Sequence, residues 1–269
     1  MITLLRKQQR ETPLHFRRIE LKYVLPTRHV RRFIERIWPY MQPDPYLVSE
    51  GTGRTRYPVL SLYFDSMDLH SLYEKDAGML SRRKLRLRTY ASEFSETTAS
   101  FLEIKRRHDF VVSKDRLSLS VGHLSKKHPM PHLLGHILQR VEAKEEVTAE
   151  AQLLRGWYNL QPTALVRYER IPFVGKHDRT FRITFDGDLQ GAWRPPLLFG
   201  GQPLRSCMNG YCVMELKCNH AIPQWFHDVI QEFALSRTAY SKYAMVVSVL
   251  RPTVFGVEQP MDRRWVGFA

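Results

Sequence analysis

Five stretches of this 269-residue chain alternate charged side chains with apolar ones, and they hold most of its capacity for chemistry. In KLRLR, Lys84, Arg86 and Arg88 alternate with Leu85 and Leu87; in FLEIKRR, Glu103, Lys105 and Arg107 alternate with Leu102 and Ile104. RIELKY sets Arg18, Glu20 and Lys22 against Ile19, Leu21 and Tyr23. VMELKC sets Glu215 and Lys217 against Met214, Leu216 and Cys218, and RTFRITFD sets Arg182, Thr184 and Asp186 against Phe181, Ile183 and Phe185. Successive side chains of a strand point to opposite faces, so each stretch is a strand with one charged and one apolar face. One such strand turns its charges to water. Five of them, with recurrent Glu-x-Lys or Arg-x-Arg pairs and several amphipathic helices to cover the apolar faces, predict a barrel whose charged faces line the interior.

An interior rich in Arg and Lys needs counter-charge, because an unpaired buried charge costs several kcal/mol or shifts its pKa. The acidic residues in these stretches offset only part of the excess, and a polyanion with water fills the remainder. Triphosphate suits that role: its many acceptor oxygens take bidentate contacts from Arg and point-charge contacts from Lys.

The elements that must position these residues follow from pattern. Strands are expected at 17–26, 56–66, 81–91, 100–107, 109–120, 163–175, 179–189 and 211–219. Thr27 is expected to cap a helix over 28–40, where Val30, Phe33, Ile34 and Ile37 fall at helical spacing. Further helices are expected at 68–76, 131–158, 223–235 and 241–250, with a tail from about 252. Eight strands with helices between them predict an α+β fold, an eight-stranded antiparallel β-barrel with helices packed outside, as one domain over 1–269 with its core at about 17–250. Asp186 and Asp188 in FDGDL read as a hairpin turn, and Gly200-Gly201 as a turn, since no GxxxxGK[ST] phosphate loop exists.

Composition agrees with an anionic partner: 41 Lys and Arg against 27 Asp and Glu give a net charge of +14. The basic residues alternate along strands instead of forming an aromatic-interleaved patch, which disfavours nucleic acid. Three cysteines without a CxxC pair indicate neither a disulfide framework nor a zinc site. The eleven histidines show no HExxH spacing and read as structural or surface residues. No apolar run of about 18 residues predicts a transmembrane helix, and the polar N-terminus does not read as a secretory signal. A cytoplasmic protein is expected.

The ordered set IELKYVL, SLYFDS, KLRLRTY, FLEIKRR, SKDR, YERIPFVG, FRITFDGDL, VMELKCN and SKY, spanning about 17–250, resembles the VTC-type polyphosphate polymerases of the triphosphate tunnel metalloenzyme superfamily. The resemblance implies an eight-stranded tunnel with basic walls. It implies phosphate contacts from Arg86, Arg88, Lys105, Lys114, Arg170, Arg182 and Lys242, a basic position at Lys22 with Lys217 beside it, and a metal-binding Glu215. Glu20 and Glu103 would assist a divalent ion, Mn²⁺ or Mg²⁺, or orient nearby lysines. The implied activity is transfer of the terminal phosphoryl group of a nucleoside triphosphate such as ATP onto polyphosphate. Hydrolysis of tripolyphosphate or a nucleoside triphosphate, and binding without turnover, are the alternatives. Two departures bear on this. Arg18 replaces the first glutamate of the Glu-x-Glu-x-Lys motif found in the thiamine-triphosphatase and adenylate-cyclase branch, which favours the VTC branch. Ala239 stands where polymerases of the family often carry a lysine, which favours hydrolysis.

Overall fold

The computed structural model describes residues 19–45, 47, 55–92, 98–108, 111–119, 124, 130–141, 146–198, 202–219 and 221–252. Arg18, Gly200-Gly201 and the expected tail beyond 252 lie outside these residues.

All eight expected strands form: β1 (Ile19–Pro26), β3 (Tyr57–Asp65), β4 (Ser81–Thr89), β5 (Ser100–His108), β6 (Val111–Leu119), β7 (Gln161–Gly175), β8 (Arg182–Trp193) and β10 (Tyr211–Cys218). Two short strands unseen in the sequence join them, β2 (Met41–Pro43) on β7 and β9 (Arg205–Ser206) on β8. At three and two residues they are too short to carry an alternation signal. The sheet is antiparallel, ordered β1-β10-β8-β7-β3-β4-β5-β6.

This sheet rolls but does not close by hydrogen bonds: β1 and β6 are its two ends and no ladder joins them among the described residues. The expected closed eight-stranded barrel is therefore a ten-stranded open one. The roll is read from one contact. Lys105 on β5 and Glu20 on β1 stand six strand steps apart, about 29 Å in a flat sheet, yet Nζ and the carboxylate are 3.4 Å apart. Side chains of both strands on that face therefore meet inside a curved wall.

The outward faces are largely apolar and covered, with Arg83 and Arg106 paired to Glu150 at their edge. Leu60, Leu62, Leu85, Leu87, Leu102, Ile104 and Leu117 pack under α3 (Leu133–Arg140) and α4 (Glu146–Tyr158). The single helix expected over 131–158 is thus two, with 142–145 outside the described residues. Across the other half, Tyr23, Leu25, Ile183, Phe185, Met214 and Leu216 pack under α1 (Val30–Ile37) and α5 (Gln224–Glu232). Thr27 does not cap α1 by its side chain; it opens a 3-10 turn that leads into the helix after Pro26. A short α2 (His70–Asp76) follows β3.

The last helix, α6 (Lys242–Leu250), corrects the expectation that all helices lie outside. It packs on the inward face: Tyr243, Val246 and Val247 meet Val59, Tyr63, Ala164, Val166, Leu189 and Val213. A helix that reads KYAMVVSVL has little polar face to offer water, so it needs cover on most sides. Gly191 permits the approach, since a Cβ there would stand 2.4 Å from Val246 and 2.8 Å from the Leu165 carbonyl. Ser241 caps the helix, accepting a hydrogen bond from the Ala244 amide at 3.3 Å.

Candidate functional site

The concave face splits into an apolar end filled by α6 and a charged remainder. Around the two buried carboxylate centres of that face, among the described residues, cluster ten cations, Lys22, Lys84, Arg86, Arg88, Lys105, Lys114, Arg116, Arg170, Lys217 and Lys242, against five carboxylates, Glu20, Asp65, Glu103, Asp186 and Glu215. The difference is five positive charges in a space walled by strands.

Two carboxylates organise the cations. Glu103 on β5 is fully buried. It accepts from Arg86 at 2.7 and 2.8 Å, from Arg116 at 2.7 and 2.8 Å and from Lys114 at 3.2 Å, with Arg88 at 3.8 Å. Burial pushes its carboxyl up, but Arg86, Arg88 and Lys114 outweigh this and hold it well below the usual carboxylate range. Arg88 also donates to Ser61 Oγ (2.9 Å) and Arg86 to Tyr63 Oη (3.1 Å), so β3 fixes both guanidiniums from the other side. The Tyr63 phenol in turn falls to about 8, where Arg86, Arg88 and Lys84 overcome its burial.

Glu215 on β10 is the second centre. Lys242 reaches it at 2.9 Å, Lys217 at 3.3 Å, Lys22 at 3.9 Å and Arg170 at 4.0 Å. Lys242 also meets Asp186 at 2.6 Å, and Arg170 grips Asp186 with two contacts of 2.6 and 2.7 Å. Lys22 and Lys105 each stand 3.4 Å from Glu20. Glu20 is held at about 2: burial raises it, but the ammoniums of Lys105, Lys22 and Lys217 lower it further. Glu215 likewise lies well below its ordinary value, burial being overcome by Lys242, Lys217 and Lys22. The cationic partners differ from one another. Burial drops Lys105 and Lys84 to about 8, whereas Lys242, between two carboxylates, is raised despite its burial.

The sheet thus gathers Lys22, Arg86, Arg88, Lys105, Lys114, Arg170, Lys217, Lys242, Glu20, Glu103 and Glu215 on one inner wall. Arg182 lies opposite Lys217 in the ladder, but its side chain, 44% exposed, turns to pair with Asp44. Four inward charged residues lie outside the set the sequence singles out: Lys84, Arg116, Asp186 and Asp65, which accepts from the Tyr243 hydroxyl. Arg116 and Lys84 carried the right parity, Arg116 two residues from Lys114 and Lys84 two from Arg86. Asp186 was assigned to a turn, but FDGDL runs through β8 as a bulge. Arg167 pairs Gln190 while Glu169 pairs Gly187, so β8 holds one extra residue, and Asp188 takes a left-handed φ of 52°. That extra residue lets Asp186 and Leu189 both face inward. The shared face of Arg182, Thr184 and Asp186 was the available signal.

A metal ion is implied by the resemblance, and the donors can be tested against it. Thr184 Oγ1, opposite Glu215 in the ladder, is buried without a protein partner. With the Glu215 carboxylate it supplies hard oxygen donors of the kind Mg²⁺ takes alongside phosphate and water. Among the described residues no group of three or more His, Cys, Asp or Glu forms a ready cage. The donors fit an ion that arrives with phosphate and takes most of its ligands from it.

The family model of the VTC domain matches residues 17–251 of this sequence. The chain belongs to the VTC domain family. Its basic inner wall agrees with the triphosphate tunnel expected of that family. Solved structures that resemble this VTC domain include a candidate adenylate cyclase from Bacillus halodurans, at 12% identity over 83% of this chain and 92% of that one, with a TM-score of 0.45. Another is a candidate adenylyl cyclase from Hippeastrum described as having a dominant triphosphatase activity, at 13% identity over 87% and 96%, with a TM-score of 0.47. A protein from Pyrococcus horikoshii matches at 10% identity over 86% and 99%, with a TM-score of 0.44. No curated protein matches the sequence. No helix among the described residues is long and apolar enough to cross a membrane.

Proposed function

We propose that this VTC domain is a cytoplasmic phosphotransferase that binds a nucleoside triphosphate such as ATP on its cationic inner wall and extends a polyphosphate chain. The observation that carries this reading is the excess of five positive charges around the buried carboxylate centres of one concave face, which a linear polyanion offsets. Phosphoryl transfer needs positioning and charge neutralisation more than covalent help. In this reading Arg86, Arg88 and Lys114 hold phosphate oxygens by shifting part of their hydrogen bonding from Glu103 to the ligand. Glu103, placed by the sequence among possible metal ligands, takes a different role: its oxygens fix the guanidiniums in position. Lys105, Lys22, Lys217, Lys242 and Arg170 receive the remaining oxygens, and Arg182 guides anions at the rim. A divalent ion, Mg²⁺ or Mn²⁺, held by Glu215 with help from Glu20, would supply further charge neutralisation on the phosphates. A terminal polyphosphate oxygen forms the new bond to phosphorus as the bond to the departing nucleoside diphosphate breaks.

A second reading, a tunnel triphosphatase in which water replaces polyphosphate as the nucleophile, is favoured by two observations. Ala239 replaces a lysine common in polymerases of the family, and α6 fills one end of the inner face with apolar side chains. Incubation of the purified protein with ATP and Mn²⁺ separates them: long chains on a polyphosphate gel support extension, and orthophosphate alone supports hydrolysis. Tight tripolyphosphate binding with neither product would mark a binder without turnover.

A further inference from the structure

At one end of the inner wall three neighbouring strands carry inward aromatic side chains in a staggered line: Phe101 on β5 stands opposite Arg88, Tyr90 lies two positions further along β4, and Tyr57 on β3 lies beyond it. On β3 the inward series Tyr63, Ser61, Val59 ends at Tyr57; on β4 the series Lys84, Arg86, Arg88 is followed by Tyr90; on β5 Glu103 is followed by Phe101. Tyr57 and Tyr90 meet edge to face with centroids 5.9 Å apart, and Tyr90 and Phe101 lie 6.0 Å apart. The rings are half-buried, whereas Tyr63, Tyr168 and Tyr243 deeper in are buried, so Tyr57, Tyr90 and Phe101 form a rim. Arg116 joins it, lying 4.3 Å from the Phe101 centroid and donating to Tyr90 Oη at 2.8 Å while its other contacts go to Glu103.

We infer that this aromatic rim is a stacking site for the base of a nucleoside triphosphate whose phosphates point inward to Arg86 and Arg88. The inference rests on the phosphate-binding reading of the inner wall and adds to it a second subsite and an orientation. Tyr90 follows Arg88 by two positions, about 7 Å along the strand, which leaves room for a sugar between Arg88 and the Tyr90 ring. Inorganic polyphosphate has no use for ring faces beside its binding arginines. A flat base gains from them and from the Arg116 guanidinium. Ring faces and a guanidinium accept any base, so adenine and guanine nucleotides are both suitable ligands.

Calorimetric titration of ATP, GTP and tripolyphosphate into the wild type, Tyr90→Ala and Tyr90→Phe tests this. Tyr90→Ala is expected to weaken ATP and GTP about tenfold while tripolyphosphate stays within about twofold, which also shows that the variant is folded. Tyr90→Phe keeps the ring and is expected to bind nucleotides like the wild type. Equal changes for nucleotide and tripolyphosphate, or no change for either, would overturn the stacking site alone. So would a Tyr90→Phe loss as large as that of Tyr90→Ala, because the hydroxyl bond to Arg116 would then be the cause. A wild type that fails to bind tripolyphosphate would sink the phosphate reading, and the stacking site with it.

Discussion

The two carboxylate centres on the inner wall are built from similar counts of charge but from different chemistry. Glu103 is surrounded chiefly by arginines, two of which reach it through paired nitrogens at 2.7 and 2.8 Å. Glu215 is surrounded chiefly by lysines at 2.9 to 3.9 Å and shares Lys242 with Asp186. A guanidinium is planar, permanently charged and directional, whereas an ammonium is a compact charge that titrates when buried. On this contrast we propose a division of labour, with the arginine centre as a fixed template for phosphate oxygens and the lysine centre as the place open to a metal ion.

The largest effect that could break this comparison is expected from Arg86→Ala. It removes one of four cations around a fully buried carboxylate that keeps Arg116 and Lys114, so the unfolding free energy should fall by about 3 kcal/mol, read by denaturant or thermal unfolding. The double variant with Arg88→Ala should abolish tripolyphosphate binding in a calorimetric titration; normal binding would show that the arginine centre is not the template. Glu215→Gln should act differently. Lys242 keeps Asp186 at 2.6 Å, so the loss of stability is expected to be smaller, about 1.5–3 kcal/mol, with tripolyphosphate still bound and metal-dependent turnover gone. If binding vanished along with turnover, the two centres would not have separate roles.

A pH titration probes two inward lysines that belong to neither centre, Lys105 beside Glu20 and Lys84 beside Tyr63 and Asp65. Lys105 and Lys84 titrate near 8 because burial disfavours their charge. Below that pH both are protonated and attract phosphate; above it they are neutral. Tripolyphosphate affinity should therefore fall as pH rises from 7 through 9, with net proton uptake on binding near pH 8, measured by calorimetry in buffers of different ionisation enthalpy. Lys105→Arg, which does not titrate in this range, should flatten that profile. The smallest effect belongs to Arg182→Ala: its pair with Asp44 is half-exposed, so unfolding should change by less than about 1 kcal/mol, with a modest loss of affinity.

Strand parity was legible wherever alternation was unbroken. KLRLR places Arg86 and Arg88 on one face and buries Leu85 and Leu87 on the other whatever the chain does elsewhere, because the period of two is a property of the extended backbone. FDGDL was illegible for the same reason: a bulge breaks the period, and Gly-Asp inside a strand looks like Gly-Asp in a turn. Arg116 was missed because DRLSLS shows its parity but not the carboxylate 2.7 Å away on β5, a pairing that only the ladder register supplies.

By itself, then, the sequence determined the eight strands, the charge on one face of each and the family to which they belong, all of which depend on local spacing and residue type. Only the tertiary structure decided that β1 curls back to β5, that α6 enters the concave side, and that the acidic residues divide among particular cations. Those outcomes depend on contacts between residues as far apart as Glu20 and Lys105 or Asp186 and Lys242. Their energies arise from burial and pairing in a space that exists only once the sheet has rolled.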